Sequence, residues 1–370
     1  MAIAIQPFTP QWIPAVAAFN RRLAGGGVAS EFQFPESDVP AWLPKLPGRR
    51  IYQEFHVATD DRDIRGAYIL KFQDFFVGGR TLTIAYYHLP ISEGIVNRSY
   101  SSVGVQMIRT ALRAHPLMFC LGMGGFDRPL PQMLKALGWQ MVAVPFYFKV
   151  NHPVRFLRQI EPLRRTAGRQ LLANAAAASG AGWLGVKAWQ RLRTAAPDRS
   201  VVAEPIGDFG SWADEIWHRS RDGYALIGCR DRETLNVLYP SPGPFLRLRV
   251  RQGGRTIGWA VALDTRMRGN KYFGHLRVGS IVDCCAAPDD APAVVQAAAG
   301  VLEQSGVDLL VSNQSHRAWT DALTRRGFLR GPSNFIFAAS KALGELLAPF
   351  DERCTAIHAT RGDGDGPINL

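Results

Sequence analysis

The sequence predicts an α/β chain of two tandem lobes, on three observations. The stretch Met118–Phe148 returns as Val307–Phe337, with Leu121 and Leu310, Gly138 and Gly327, and Phe148 and Phe337 each 189 residues apart. A hairpin pattern returns too: IRGAYIL (Ile64–Leu70) aligns with TIGWAVA (Thr256–Ala262), from Gly66 to Gly258, at an offset of 192. The chain has 370 residues, more than one hydrophobic core usually serves, so two domains are expected.

Each copy of the repeat reads as a buried strand, a polar loop, a short helix, a glycine with an aromatic residue, and a second strand. In the first copy Leu130, Met133, Leu134 and Leu137 fall at i, i+3, i+4 and i+7, one apolar helix face. In the second, Trp319, Ala322 and Leu323 take three of those places and Arg326 the fourth. Gly138 and Gly327 sit where a helix ends, as a C-terminal cap would.

Upstream, residues 2–6 alternate as a first strand, and Gln11–Leu23 carries Ile13, Val16, Ala17 and Phe19 on helical spacing. Pro35, Pro40, Pro44 and Pro47 make Glu31–Arg50 loop or short helix. Tyr52–Thr59 and Ile64–Phe72 flank the polar turn Asp60–Asp63 as a hairpin. Thr81–Leu89 is a half-buried strand, Ser92–Ser102 a polar loop, and Val103 to about Ala114 an amphipathic helix. The second lobe follows suit. Ser200–Pro205 is a strand and Phe209–Arg219 a helix. Phe245–Val250 and Thr256–Leu263 form a hairpin around Gly253-Gly254, Leu276–Cys284 is a strand, and Ala291–Glu303 is a helix. Between the lobes, Val154–Leu172 is basic and amphipathic (Arg155, Arg158, Arg164, Arg165, Arg169), followed by an Ala/Gly run and by Trp183–Arg193. The expected boundaries are therefore 1–150 and 201–345 for the lobes, 151–200 for the linker, and 346–370 for a tail ending RGDGDGPINL.

Composition is globular, 47% hydrophobic and 20% charged, and the net charge of +12 favours an anionic partner. The five cysteines form no C-x-x-C pair, which argues against a disulfide framework and a zinc site. Met1–Asn20 lacks a basic start and is interrupted by Pro7, Pro10 and Pro14, so a signal peptide is not expected. Gln170–Val186 falls short of the ~20 apolar residues of a spanning helix. A cytoplasmic protein is the expectation.

Taken in order, each lobe runs strand, helix, hairpin, long strand, polar loop, helix, strand, helix, strand. That order resembles the GNAT superfamily of acyl-CoA N-acyltransferases. The tandem arrangement is similar to Fem-type aminoacyl transferases and to N-myristoyltransferases. CRDRETLNVLY (Cys229–Tyr239) looks like a helix of tandem GNAT-like proteins of polysaccharide biosynthesis. The resemblance implies an α/β (α+β) fold of two GNAT-like lobes, each a mixed, mostly antiparallel sheet flanked by helices. It also implies acyl-CoA or acetyl-CoA as donor, its pyrophosphate wrapped by amides of the loop after the fourth strand, where orphan N–H groups and the helix dipole suit a phosphate.

The family pattern there, Arg/Gln-x-x-Gly-x-Gly/Ala, falls on Ser99–Gly104, SYSSVG. Gly104 matches the last glycine, Ser102 stands at the first, and the arginine is displaced to Arg98. Ser102, Val103, Gly104 and Val105 are the cofactor-binding residues this implies. In the second lobe the loop AAPDDAPA (Ala286–Ala293) has no glycine, and Asp289 and Asp290 would repel a pyrophosphate. Asn313, however, stands where an asparagine often contacts the acyl cofactor in the family, and the first lobe has Gly124 there. The two criteria favour different lobes.

Amide formation from a thioester needs an unprotonated amine, a polarised carbonyl and a proton donor for the leaving thiolate. His88 and Glu93, at the end of the long strand, are candidate bases. Tyr86 and Tyr87 are adjacent on that strand, so one faces inward, and Tyr87 is kept as a catalytic candidate. In the second lobe Asp283 holds a comparable place, and His316 follows Asn313. Each also has a structural reading, as a packed strand-end ring or a solvated acid. Cys284 and Cys285 face opposite ways on a strand without a placed His–Asp partner, which disfavours a thiol nucleophile. No H-x-x-x-H or H-E-x-x-H occurs, so no metal is expected. The tail reads as a free terminus or as a Gly-rich segment docked near a cleft.

The reading is an acyltransferase that moves an acyl group from a coenzyme A thioester to an amine on a small molecule or sugar. The alternatives are a non-catalytic GNAT-derived binding or scaffold protein, and an aminoacyl-tRNA-dependent transferase. The basic linker leaves room for weak membrane-surface contact. No nucleic-acid-binding signature is present, and no nucleic-acid partner is expected.

Overall fold

The computed structural model describes residues 3–160, 188, 194–364 and 366. The chain divides into two compact units, Met1–Val142 with Ile336–Arg353, and Ala143–Phe335 with Cys354–Leu370.

The first unit begins with β1 (Ala4–Pro7), α1 (Ile13–Gly25), β2 (Tyr52–Asp60), β3 (Asp63–Val77) and β4 (Arg80–Ser92). It continues through α2 (Val103–Ala114), β5 (Met118–Met123), α3 (Pro129–Ala136) and β6 (Gln140–Ala143). β3 runs past Phe72 to Val77 because left-handed Gly78 and Gly79 make a two-residue turn into β4. The alternation of a pleated strand sends neighbours to opposite faces. Leu70, Phe72, Tyr87 and Cys120 pack with Met107, Ile108 and Ala111 of α2 and Leu134 of α3. Phe55, Val57, Ile69 and Ile91 pack with Val16, Phe19 and Leu23 of α1.

The second unit contains β7 (Phe146–Val150), α4 (Pro153–Gln159), β8 (Val201–Pro205), α5 (Ser211–Ser220) and β9 (Leu226–Gly228). Next come α6 (Arg232–Leu238), β10 (Leu246–Gln252), β11 (Arg255–Arg266), β12 (Arg277–Ala286) and α7 (Ala291–Gln304). β13 (Leu309–Asn313), α8 (Arg317–Arg325) and β14 (Leu329–Gly331) follow. The helix expected within Cys229–Tyr239 is α6, whose start Asp231 caps by accepting from Thr234 N at 2.9 Å. β15 (Phe335–Ala339), α9 (Lys341–Leu346) and α10 (Phe350–Arg353) belong essentially to the first unit, and β16 (Ile357–His358) returns to the second.

The repeat is executed alike in both copies. Gly138 and Gly327 are left-handed, with φ of 79° and 83°. Trp139 N donates to Leu134 O at 3.1 Å and Phe328 N to Leu323 O at 3.0 Å, the long bond of a Schellman cap. The last strands diverge from the sequence expectation. The first unit's strands run β1-β2-β3-β4-β5-β15-β6, and the second sheet runs β14-β7-β13-β12-β11-β10-β8. The closing strand of each copy is thus built into the other unit's sheet. Runs rich in aromatic and aliphatic residues, FYFKV and FIFAA, specify a strand in both cases, and nothing local specifies which sheet receives it. Ser340 pins the C-terminal end of β15, accepting from Met118 N at 3.1 Å and donating to Pro116 O at 2.7 Å.

Of the basic linker, α4 carries Arg155, bonded to Asp308 at 3.3 Å, and Arg158. Arg164, Arg165, Arg169, Lys187, Arg191 and Arg193 lie outside the described residues. Among the described residues no helix is long and apolar enough to cross a membrane.

Phe337 of β15 is 1% exposed and stacks on Phe119 of β5 at 5.8 Å. Phe337→Ala is expected to cost about 3–5 kcal/mol in urea unfolding. Hydrogen exchange should quicken in Met118–Met123. Acceleration confined to second-unit peptides would contradict the strand exchange.

Candidate active site

In the first unit β4 and β5 are parallel neighbours only at Ala85–Met118 and Tyr86–Phe119. Beyond that point both strands leave regular geometry. On β4, His88 opposes Ile69 and Ile91 opposes Ala67, so Leu89 and Pro90 together face Tyr68. This is a bulge: Leu89 has φ of 46°, and Pro90 has no amide. On β5 the chain turns left-handed over Gly122, Met123, Gly124 and Gly125. Met123 is the one non-glycine among them, at φ of 69°, a conformation with a steric cost that functional sites often carry.

The loop from β4 to α2 is tied down by charge. Glu93 accepts from Arg22 of α1 at 3.0 Å and from Arg65 of β3 at 3.1 Å, and is 4% exposed. The Arg65 guanidinium also lies over the Tyr100 ring, 4.4 Å from its centroid. Ser92 and Asn97 each accept from the amide two residues on, which folds the loop into two short 3₁₀ turns. These contacts deliver the chain to α2. That helix starts at Val103 after Ser102, with no side-chain cap and no acid in its first turn. The first helical bond runs from Gln106 N to Ser102 O at 3.0 Å. The amides of Val103, Gly104 and Val105 precede it and have no acceptor within the helix. A Cβ built on Gly104 would meet only Ser92 Cβ, at 4.0 Å.

The predicted catalytic residues separate on this framework. His88 is half-buried, and its Nδ1 lies 3.2 Å from the Tyr86 phenol, which donates to Leu121 O across the parting strands at 3.2 Å. Tyr87 points to the opposite face, into the core beside α2. Its hydroxyl has no hydrogen-bond partner among the described residues, and burial raises its pKa well above the usual value. Tyr86, not Tyr87, shares the face of His88. Glu93 is held between two guanidinium groups, so its carboxylate serves the loop.

The second unit repeats the parting with different contents. β12 and β13 pair from Val278–Leu309 to Ile281–Ser312. Beyond, Asp283 opposes Val261 and Ile281 opposes Ala262, leaving Val282 as a bulge. Asp283 is fully buried. It accepts from Tyr239 Oη at 2.6 Å and pairs with Arg230 Nε at 3.0 Å, while Arg230 Nη2 donates to Asp363 at 2.7 Å. Asn313 Oδ1 accepts from Arg361 Nε at 3.0 Å, and its amide nitrogen donates to Pro145 O at 3.4 Å. His316 caps α8, its Nδ1 accepting from Ala318 N at 3.2 Å, and packs edge-on against Tyr224. The Cys284 thiol is buried, which raises its pKa well above the usual value. Asp289 and Asp290 form a 3₁₀ turn directly ahead of α7.

Arg230, Tyr239 and Thr360 were not among the residues singled out from sequence for chemistry. Arg230 and Asp363 are 133 positions apart, and no spacing rule joins them.

No protein-family model matches this chain, and no curated protein matches it in sequence. Solved structures do resemble it. A conserved protein of Enterococcus faecalis V583, described as a probable N-acyltransferase, is 10% identical, with 94% of this chain and 74% of that chain covered at a TM-score of 0.51. A GCN5-related N-acetyltransferase from Anabaena variabilis is 10% identical, over 91% and 72% of the two chains, at a TM-score of 0.50. An N-myristoyltransferase of Saccharomyces cerevisiae with bound myristoyl-CoA covers 92% and 78% at 10% identity, with a TM-score of 0.49. The fold is the GNAT fold: two mostly antiparallel sheets flanked by helices.

His316 and His358 are both buried, which pushes each pKa down to about 4. They are neutral in the folded chain and take up protons near pH 6.5 once unfolded. Their stabilisation is full above about 6.5 and is lost as pH falls towards 4, up to about 3 kcal/mol for each. Urea unfolding followed from pH 7 to 4 should therefore show stability falling across that window, with a shallower fall in His358→Gln. Identical slopes for the two chains would contradict a buried neutral His358.

Proposed function

We propose that this GNAT-fold chain is an acyltransferase that moves an acyl group from acyl-CoA to an amine on a small molecule or sugar, with the donor held in the first unit. One observation carries the reading: there the strands part beside a helix start whose first amides are uncapped and face no carboxylate of their own turn. Ser102, Val103, Gly104 and Val105 would cradle the pyrophosphate with backbone N–H groups. The thioester would reach between β4 and β5, with the amide of Leu89 in the bulge polarising its carbonyl. The Asp289–Asp290 pair ahead of α7 makes the second unit the poorer host for a pyrophosphate.

In this reading His88 takes the proton of the attacking amine, and the Tyr86 phenol, bonded to His88, supplies the proton that the departing thiolate needs. The phenol recovers its proton from His88, so the pair ends neutral. Glu93 contributes by fixing the loop.

Calorimetric titration with acetyl-CoA and longer acyl-CoAs tests the donor site, and Gly104→Glu is the control. The open space at Gly104 admits the new side chain, and an acid in a first helical turn suits the dipole, so the variant should fold normally. Micromolar binding lost in that variant is the expected result. Absence of binding at millimolar ligand would rule out the CoA reading and turn attention to an aminoacyl-tRNA donor or a non-catalytic role. With an acceptor in hand, His88→Ala should lower kcat by about 10²–10⁴-fold and leave donor affinity nearly unchanged.

A further inference from the structure

The opening between β12 and β13 already holds a ligand, and the ligand is the chain itself. The segment Ile357–Asp363 bonds to both parted strands. On the β12 side, His358 Nε2 donates to Cys284 O at 2.8 Å and Thr360 Oγ1 donates to Asp283 at 3.1 Å. On the β13 side, Ser315 donates to Ile357 O and accepts from Ala359 N at 2.7 Å, and Arg361 donates to Asn313. Ile357 and His358 also add to Leu226 and Ile227 as a parallel strand.

The fit is specific to sequence as well as to backbone. A capping box between Thr360 and Asp363 turns the chain, and the Asp363 carboxylate meets Arg230 at 2.7 Å. Gly362 lies so close to Tyr239 and Asp283 that a Cβ there would fall 2.2 Å from the phenol oxygen and 2.9 Å from the carboxylate. The His358 ring stacks on Trp319 at 5.7 Å. Arg230, Asp283 and Asp363 are at most 2% exposed as side chains, and withdrawing one charged member from such a buried group leaves the others uncompensated.

We propose that this opening is a peptide-binding groove whose built-in occupant is the chain's own C-terminal segment, read as His-x-Thr-Arg-Gly-Asp, and that the second unit takes no acyl donor. The polar groups a thioester's amides would need there, Cys284 O, Asn313 and Ser315, are engaged by that segment. The duplicated opening has been kept and its ligand made part of the polypeptide. This goes beyond the donor reading of the first unit and does not depend on it.

Hydrogen exchange of the full chain, with and without saturating acetyl-CoA, tests the groove. Peptides covering 357–363 should exchange at least about a thousandfold more slowly than the free sequence, unaltered by the thioester. Exchange as fast as the free sequence would overturn the proposal, as would protection gained on ligand addition at Asp283–Ala286 or Asn313–His316. Protection gained at residues 99–106 reports separately on the first unit, so the two readings fail independently. Asp363→Asn keeps the shape and removes the charge; faster exchange confined to the tail is expected. An unchanged rate would overturn the ionic anchor. If that variant does not fold, the wild-type exchange pattern decides alone.

Discussion

Two parallel strands that part midway leave backbone N–H and C=O groups without a ladder partner, and such groups cannot be buried unpaired at small cost. Both units meet this constraint, and each meets it with side chains. In the first, Tyr86 donates to the carbonyl of Leu121 and Cys120 donates to that of Tyr87. In the second, His358 and Ser312 serve the carbonyls of Cys284 and Ile281 on β12. What fills a parted pair decides what the unit can do. In the first unit the parting carries the Tyr86 phenol and the His88 ring; in the second it carries a bonded peptide segment.

The two copies show which features a duplication keeps. Both helix ends retain the glycine and the same capping bonds, because a left-handed residue there admits little else. The helix starts have diverged. The chain places serines ahead of α2 and an open glycine in its first turn; ahead of α7 it places Pro288 and two aspartates. The local electrostatics have reversed while the framework has not.

Much of the framework was legible in the sequence, because period and punctuation are local. Helices at Val103–Ala114 and Ala291–Gln304 follow from their apolar spacing, and the hairpins from their turns. The destination of β7 and β15 was not legible, because a short aromatic-rich strand fits either sheet. Parity put Tyr86 and His88 on one face and Tyr87 on the other without saying which face α2 would cover. Glu93 reads as a base until Arg22 and Arg65 are seen, 71 and 28 positions away. Arg230 and Asp363 have no local signature, and their pairing comes only from the fold.

The exchanged strands also constrain how the chain is made. β5 and β6 wait for a strand that emerges from the ribosome only after residue 335, when nearly the whole polypeptide has been synthesised. Until then the first half exposes unpaired strand edges, the feature that invites association with other chains. Assembly of the first sheet is therefore a late event, and a chain halted before Ala339 has no means of completing it. The first unit, Met1–Val142 with Ile336–Arg353, cannot be excised as one continuous piece, although the sequence still carries the mark of a duplication.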